Sequence, residues 1–325
     1  MALRIGILGA ARIAQEGIIE PARALGHEVV AVAARDRGRA ERFATEHGVV
    51  RVHDSYADVV ADPEVDLVYN ALVNSLHARW NVAALDAGKH VLSEKPITCN
   101  ATEARAVRAA AGRSQGTIVE GLHYLHHPVS IRLHELVASG DLGDVERVEL
   151  VLATPAPPDT DPRWTRELGG GATLDIGCYV LSAARHVGRW VGAGPKVVSA
   201  DARLKGPDVD AGMRVSLAYG GGLTADCVWD MNAEARTMTW TVHGSWGSAT
   251  SPAFAVPHMD NRVVTSIGGR EASETLGDQT SYTYQLAALA RTIEAGEPFP
   301  IDIDDALANA ELMDACFRQA GLDAR

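Results

Sequence analysis

Two stretches of the sequence carry residue types that could move a proton beside a reacting hydroxyl. The first is Glu94-Lys95-Pro96, directly after the short apolar run His90–Ser93. An ammonium at such a place can polarise a carbonyl or stabilise an alkoxide. Pro96 restricts Lys95 to extended conformations, which fixes where that ammonium points. Glu94 can pair with Lys95 or accept from a ribose hydroxyl. The second stretch runs from Gly169-Gly170-Gly171 to Asp175 and Tyr179. Here Asp175 and Tyr179 lie at i and i+4 and would share one face of a helix predicted over Gly171–Arg185. A tyrosine near an ammonium has its phenolic pKa drawn below the usual ~10, because positive charge favours the phenolate. Such a tyrosine can serve as general acid and base. The competing reading makes Tyr179 a packed ring and Asp175 a helix-start charge, and spacing alone weights the two equally.

A third stretch, Gly9-Ala10-Ala11-Arg12-Ile13-Ala14, lies between a predicted strand and a predicted helix. Dinucleotide sites want G-x-G-x-x-G/A there, with the pyrophosphate on the N–H groups that open the helix. Gly9 allows the tight turn and Ala14 the close helix packing, while Ala11 stands where the middle glycine belongs. The end of the second strand decides which dinucleotide binds. Arg35 suits a ribose 2′-phosphate, which a guanidinium can grip with two bonds. NADP is therefore expected over NAD, although Asp36 could still turn toward a ribose. Arg39 and Arg42 read as a solvated helix face.

These stretches need elements to hold them. Met1–Ala11 reads as a first strand and not as a leader peptide. Strands are predicted at Leu3–Leu8, Glu28–Ala34, Asp66–Leu72, His90–Ser93 and Thr117–Glu120, with helices between them at Arg37–His47, His77–Ala87 and Ala101–Arg113. Pro21 begins a second short helix after the fingerprint. Repeated βαβ units of this kind mean a parallel, doubly wound α/β sheet. After a helix at His127–Ala138 and a strand at Val145–Leu152, the period changes to two. Met213, Val215, Leu217 and Tyr219 alternate with polar residues, as do Leu223, Ala225, Cys227 and Trp229, giving an open antiparallel sheet with one buried face. The division is a Rossmann domain over 1–123 and an α+β substrate and oligomerisation domain over 124–325, the last helix packing back on the first domain. A chain of 325 residues is long enough for two cores. Acids outnumber bases 42 to 30, so a polyanion or an anionic lipid surface is a poor partner. Apolar runs stay far short of the ~20 residues that span a bilayer. The four cysteines are scattered without a CxxC, which points to a reducing cytosol and to no disulfide framework.

Taken together, GILGAARIA, AVAARD, YNALVNSLHA, AGKHVLSEKP, GLHYLHHP and GGGATLDIGCY resemble the Gfo/Idh/MocA oxidoreductases, in that family's order and over essentially the whole chain. The resemblance implies a Rossmann domain followed by an open-faced sheet, a nicotinamide cofactor, a carbohydrate-like substrate between the domains, and a homodimer or homotetramer. It makes Lys95 catalytic. Tyr179 falls where many members have histidine, which is similar to the branch with glucose–fructose oxidoreductase, dihydrodiol dehydrogenase and sugar ketoreductases. Asp175 would then orient the substrate or Tyr179. Asn74 and His77 match the cofactor-side loop, in which Val73 replaces the usual proline. Arg12, Ile13 and Glu94 join Gly9, Ala11 and Arg35 as cofactor contacts, and Arg163 and Trp164 fall where the substrate pocket is lined. His123, His126 and His127 have no carboxylate or thiolate spaced with them, so no metal is expected. Cys178 reads as a packed small residue. The activity implied is NADP-dependent hydride transfer to or from a secondary hydroxyl of a sugar, cyclitol or dihydrodiol. A redox-assisted glycosidase and a non-catalytic cofactor-binding sensor are the alternatives.

Overall fold

The computed structural model describes residues 2–324. The chain divides into two compact units, Met1–His123 with Tyr282–Ala308, and Tyr124–Ser281 with Asn309–Arg325.

The first unit is a six-stranded sheet of β1 (Arg4–Leu8), β2 (Glu28–Ala33), β3 (Arg51–Val52), β4 (Leu67–Asn70), β5 (His90–Ser93) and β6 (Ile118–Glu120). The order is β3-β2-β1-β4-β5-β6 and every pair is parallel. The winding reverses between β1 and β4, the kind of switch point at which open α/β sheets bind ligands. Helices α1 (Glu20–Leu25), α2 (Arg37–His47), α3 (Tyr56–Ala61), α4 (Asn74–Asp86) and α5 (Ala101–Ala111) connect the strands. Both sheet faces are covered, so strands such as Leu67-Val68-Tyr69-Asn70 are buried throughout and read as continuous runs. Ile5, Ile7, Val32 and Tyr69 pack into one layer, to which the later helix α8 (Ser281–Ala295) adds Leu286 and Leu289. Ala31, Ala33, Val68 and Val91 pack into the other.

Three local features depart from the sequence reading. A π-helical turn, Gln15–Ile19, stands between the fingerprint and α1, with Pro21 in the first turn of α1. Helix α4 starts at Asn74, three residues before the predicted start, because the Val73 backbone is extended and turns into the helix there. The connection from α2 to β4 holds β3 and α3, which were not predicted. β3 has only two residues, too few to show any period.

The second unit is an eight-stranded sheet of β7 (Val145–Ala153), β8 (Lys196–Leu204), β9 (Asp210–Ala218), β10 (Thr224–Asp230), β11 (Thr237–Gly244), β12 (Gly247–Ser251), β13 (Arg262–Ile267) and β14 (Arg270–Thr275). The order is β14-β13-β12-β11-β7-β10-β9-β8. The predicted alternation holds: Met213, Val215, Leu217, Ala225, Cys227 and Trp229 are buried. The sheet is antiparallel as expected except at one pair, β7 and β10, which are parallel. Strand β7 lies between β10 and β11, which run in opposite directions, so it must be parallel to one of them. Helices α6 (Pro128–Ala138) and α7 (Cys178–Trp190) accompany this sheet, and α7 is buried along most of its length. The final helix, α9 (Ile303–Gln319), is divided between the units at Ala308. Among the described residues no helix is long and apolar enough to cross a membrane.

Candidate active site

The residues singled out in the sequence fall into two groups, one in each unit. In the first unit the fingerprint forms a tight turn at the end of β1. Gly9 adopts φ +95°, a conformation that disfavours any side chain, and its N–H donates to the Ala33 carbonyl at 2.8 Å. A Cβ on Gly9 would also meet the Ala71 carbonyl oxygen at 3.1 Å. Ala14 is fully buried, while Ala11 and Ile13 are partly buried and Arg12 is exposed. These are the backbone and small residues a pyrophosphate needs beside it.

The charges around the turn differ in part from expectation. Arg39, exposed as expected of a solvated residue, also folds back and donates from Nε and Nη2 to the Ala10 carbonyl at 3.1 and 2.8 Å. It is thus tied to the turn itself. Asp36 caps α2 by accepting from the Arg39 N–H at 2.7 Å, which commits that carboxylate to the helix start. A groove of about 320 Å³ opens beside the turn, lined by Ala10, Ala11, Arg12, Arg39, Arg42 and Phe43 among others. Arg35 is exposed at the end of β2, outside the groove lining, and makes no hydrogen bond or ion pair with any described residue.

Lys95 and Glu94 sit at the carboxyl end of β5, both half-buried. Glu94 Oε1 accepts from the Tyr69 hydroxyl at 2.6 Å, and Oε2 accepts from the Lys95 N–H at 3.3 Å. Beneath them lies a fully buried polar lattice. Asn81 donates to Ser93 Oγ at 3.0 Å and to the Ile97 carbonyl at 3.1 Å, and Asn70 donates to Asn81 Oδ1 at 2.8 Å. His77 belongs to this lattice, which corrects its assignment as a cofactor contact. It is fully buried, with Nδ1 2.7 Å from the Pro96 carbonyl oxygen and Nε2 2.9 Å from that of Leu72. Burial pulls the imidazole pKa down, against the pull of the two carbonyls. The imidazole therefore ties the loop after β4 to the loop that carries Lys95. Asn74, three residues earlier, is half-buried in the first turn of α4.

In the second unit the glycine run permits close backbone packing. Gly169 and Gly171 have φ of 75° and 120°, and a Cβ on Gly170 would fall 2.6 Å from the Arg163 carbonyl oxygen. The regular helix predicted over Gly171–Arg185 begins instead as a π-helical turn, Thr173–Gly177, before α7. Such turns recur at functional sites. Asp175 is thus carried on a turn with wider spacing than the α-helical face that the i, i+4 argument assumed. Arg163 grips Asp161 from Nε and Nη2, at 2.9 Å each, and its Nη1 lies 3.6 Å from Asp175 Oδ2. Trp164 is half-buried, donates from Nε1 to the Pro157 carbonyl at 3.2 Å and has the Lys205 ammonium 4.6 Å from its ring centroid. Tyr179 is buried, its ring 5.8 Å from that of Tyr124. Cys178 is buried, as expected of a packing residue.

The π-turn is anchored by a chain that sequence reading missed. Trp229 Nε1 donates to Thr173 Oγ1 at 2.9 Å, and Asp210 accepts from both the Thr173 hydroxyl and its N–H at 2.6 Å. The signal was present as a carboxylate at the head of an apolar strand. Of the three neighbouring histidines, His127 caps α6 by accepting from the Val129 N–H, and His123 lies against the Tyr282 ring with centroids 3.8 Å apart. Among the described residues no three His, Cys, Asp or Glu side chains gather as a metal-binding group.

Comparison with known proteins bears on both units. Residues 3–122 match the family model described as "Oxidoreductase family, NAD-binding Rossmann fold", and residues 131–250 match the "GFO/IDH/MocA C-terminal domain". D-xylose 1-dehydrogenase (NADP(+)) 2 of Haloferax volcanii is 34% identical over 98% of this chain and 97% of its own. Trans-1,2-dihydrobenzene-1,2-diol dehydrogenase of Danio rerio is 30% identical over 99% of this chain and 98% of its own. Among solved structures, KijD10, a 3-ketoreductase from Actinomadura kijaniata in complex with NADP and TDP-benzene, superimposes with a TM-score of 0.89. It is 30% identical and covers 97% of each chain.

Proposed function

The chain belongs to the GFO/IDH/MocA family of oxidoreductases, and from that premise we propose an NADP-dependent dehydrogenase or reductase. Its substrate is a secondary hydroxyl or ketone of a sugar, cyclitol or dihydrodiol. The observation that carries this reading is the end of β5, where a fully buried lattice bonds to Ser93, Pro96 and Ile97 on either side of Glu94 and Lys95, in a unit whose dinucleotide turn is lined with arginines. The NADP(+)-linked xylose dehydrogenase and the NADP-bound neighbour support the choice of cofactor. When bound, NADP accepts or supplies a hydride at nicotinamide C4.

The residues of the chain do the rest. The Gly9 turn and the N–H groups after it take the pyrophosphate, and Arg35, Arg12 and Arg42 offer cations for the 2′-phosphate. Arg39 braces the turn through the Ala10 carbonyl. Lys95 orients the substrate oxygen and stabilises negative charge that develops on it. Tyr179 Oη gives or takes the hydroxyl proton, and Asp175, braced by Arg163, orients the substrate. Trp164 lines the pocket. A homodimer or homotetramer is part of the same reading and is checked by light scattering.

The test follows NADPH absorbance across a panel of aldoses, cyclitols and dihydrodiols, with Lys95→Ala and Tyr179→Phe alongside. The wild type turns over with NADP⁺, and each variant loses roughly 10²–10⁴-fold in kcat, the usual worth of a positioned acid or base. Cofactor binding without turnover on any alcohol, or a Tyr179→Phe enzyme as fast as wild type, rejects the proposal.

A further inference from the structure

We infer that Tyr69 is a positioning residue, whose hydroxyl holds the Glu94 carboxylate in place beside Lys95. Tyr69 is fully buried in the middle of β4, where a phenylalanine would fill the same core space. Its hydroxyl sits 2.6 Å from Glu94 Oε1, the length of an O–H···O⁻ bond to an ionised acceptor. The other carboxylate oxygen accepts from the Lys95 N–H, so the carboxyl plane is pinned at both ends. Room for the hydroxyl is made from a third element. Gly17 is the middle residue of the π-turn that follows the fingerprint, and a Cβ there would lie 2.4 Å from Tyr69 Oη and 3.5 Å from Glu94 Oε1. The π-turn after the fingerprint, β4 and the lysine loop therefore meet at one hydroxyl. Tyr69 from β4 and Lys95 next in sequence bond to Glu94, and Tyr282 from the later helix feels the charge of both Glu94 and Glu16 of the π-turn. Burial, then the negative charge of Glu94 and Glu16, pushes the Tyr282 phenol up.

The consequence for turnover rests on the function proposed above, but the contact itself can be tested without it. Side-chain carboxyl carbons of glutamate are followed by carbon-13 NMR against pH in the cofactor-free protein, Glu94→Gln identifying the Glu94 signal. In Tyr69→Phe the Glu94 midpoint should rise by about one pH unit, a tenfold gain in proton affinity. Gly17→Ala, which crowds the hydroxyl from the opposite side, should raise it in the same direction and serves if Tyr69→Phe folds poorly. In an active enzyme the acid limb of the kcat/KM profile moves with it, and Tyr69→Phe adds no further loss on top of Glu94→Gln. An unchanged Glu94 midpoint, or an equal cost of Tyr69→Phe with and without Glu94, overturns the inference. A wild-type enzyme silent on every alcohol rejects the proposed reaction instead, and the titration still decides the role of Tyr69.

Discussion

Replacing Thr173 by valine should loosen the turn that carries Asp175, and the size of the effect follows from a chain of three buried groups. Thr173 and Asp210 are fully buried and Trp229 is 1% exposed. An indole N–H only donates and a carboxylate only accepts. The Thr173 hydroxyl must therefore accept from Trp229 and donate to Asp210, so its direction is set by its neighbours. Valine keeps the shape and removes both bonds. The Trp229 N–H is left in the core without this acceptor, at about 1–3 kcal/mol, and Asp210 loses one of its two bonds from Thr173, worth about 1.5–3 kcal/mol for a charged acceptor. Partial relaxation leaves a net cost of about 3 kcal/mol, or roughly 6–12 °C in the melting of a unit this large. Thr173→Ser, which keeps the hydroxyl, should recover most of that. The assay is differential scanning calorimetry of the three proteins, with kcat/KM measured on the same samples below the transition. A Thr173→Val protein that melts with the wild type, or a serine variant no better than the valine one, would refute the reasoning.

Arg35→Ala should raise the KM for NADP⁺ about tenfold, the loss of one charge-assisted phosphate contact, and leave that for NAD⁺ unchanged. Arg39→Ala should raise both, because Arg39 braces the turn that any dinucleotide uses; steady-state kinetics with the two cofactors separates the cases. The His127 imidazole is held down to about 4, by burial first and then by the positive charge of His258. Its Nδ1 accepts the Val129 N–H only when unprotonated. The unfolded chain takes up a proton near the ordinary histidine value of ~6.5, so this stability is complete above that pH and is lost as the pH falls from there toward 4. Melting temperatures should drop from about pH 7.5 to about pH 5, and His127→Asn, which caps the helix without titrating, should flatten that dependence. Parallel slopes for the two proteins would count against this account.

Much of the frame is legible because burial imposes a period on the chain. Strands covered on both faces read as apolar runs, as in Glu28–Ala33, and a half-covered strand alternates, as from Met213 to Leu217. Glycines in left-handed conformations close α2 and mark the turn at Gly9. The parallel pairing of β7 with β10 left no mark on either strand, since it comes from which strands β7 is inserted between. The π-turns were equally silent, because a pattern averaged over a helix cannot show one widened turn. The candidate site residues were legible only where their chemistry is evident. Lys95, Asp175 and Tyr179 announce themselves by type, whereas Arg39 is exposed as expected and only its bond to the Ala10 carbonyl left no mark in the sequence.

The residues that hold the site were visible in another way, as breaks in the very pattern used to find the core. Asn70 ends a buried strand, Asn81 lies buried in α4, and Thr173 and Asp210 sit at zero exposure among apolar neighbours. Each such group costs a few kcal/mol to bury unless it is bonded. A fold that retains several of them close to Lys95 and Asp175 is spending stability on position. A polar residue where the period demands an apolar one is therefore the sequence signal for a positioning residue. Tyr69 is the hardest case, because its ring satisfies the pattern and only its hydroxyl breaks it. That hydroxyl needed a partner of its own, and the partner is the carboxylate next to Lys95.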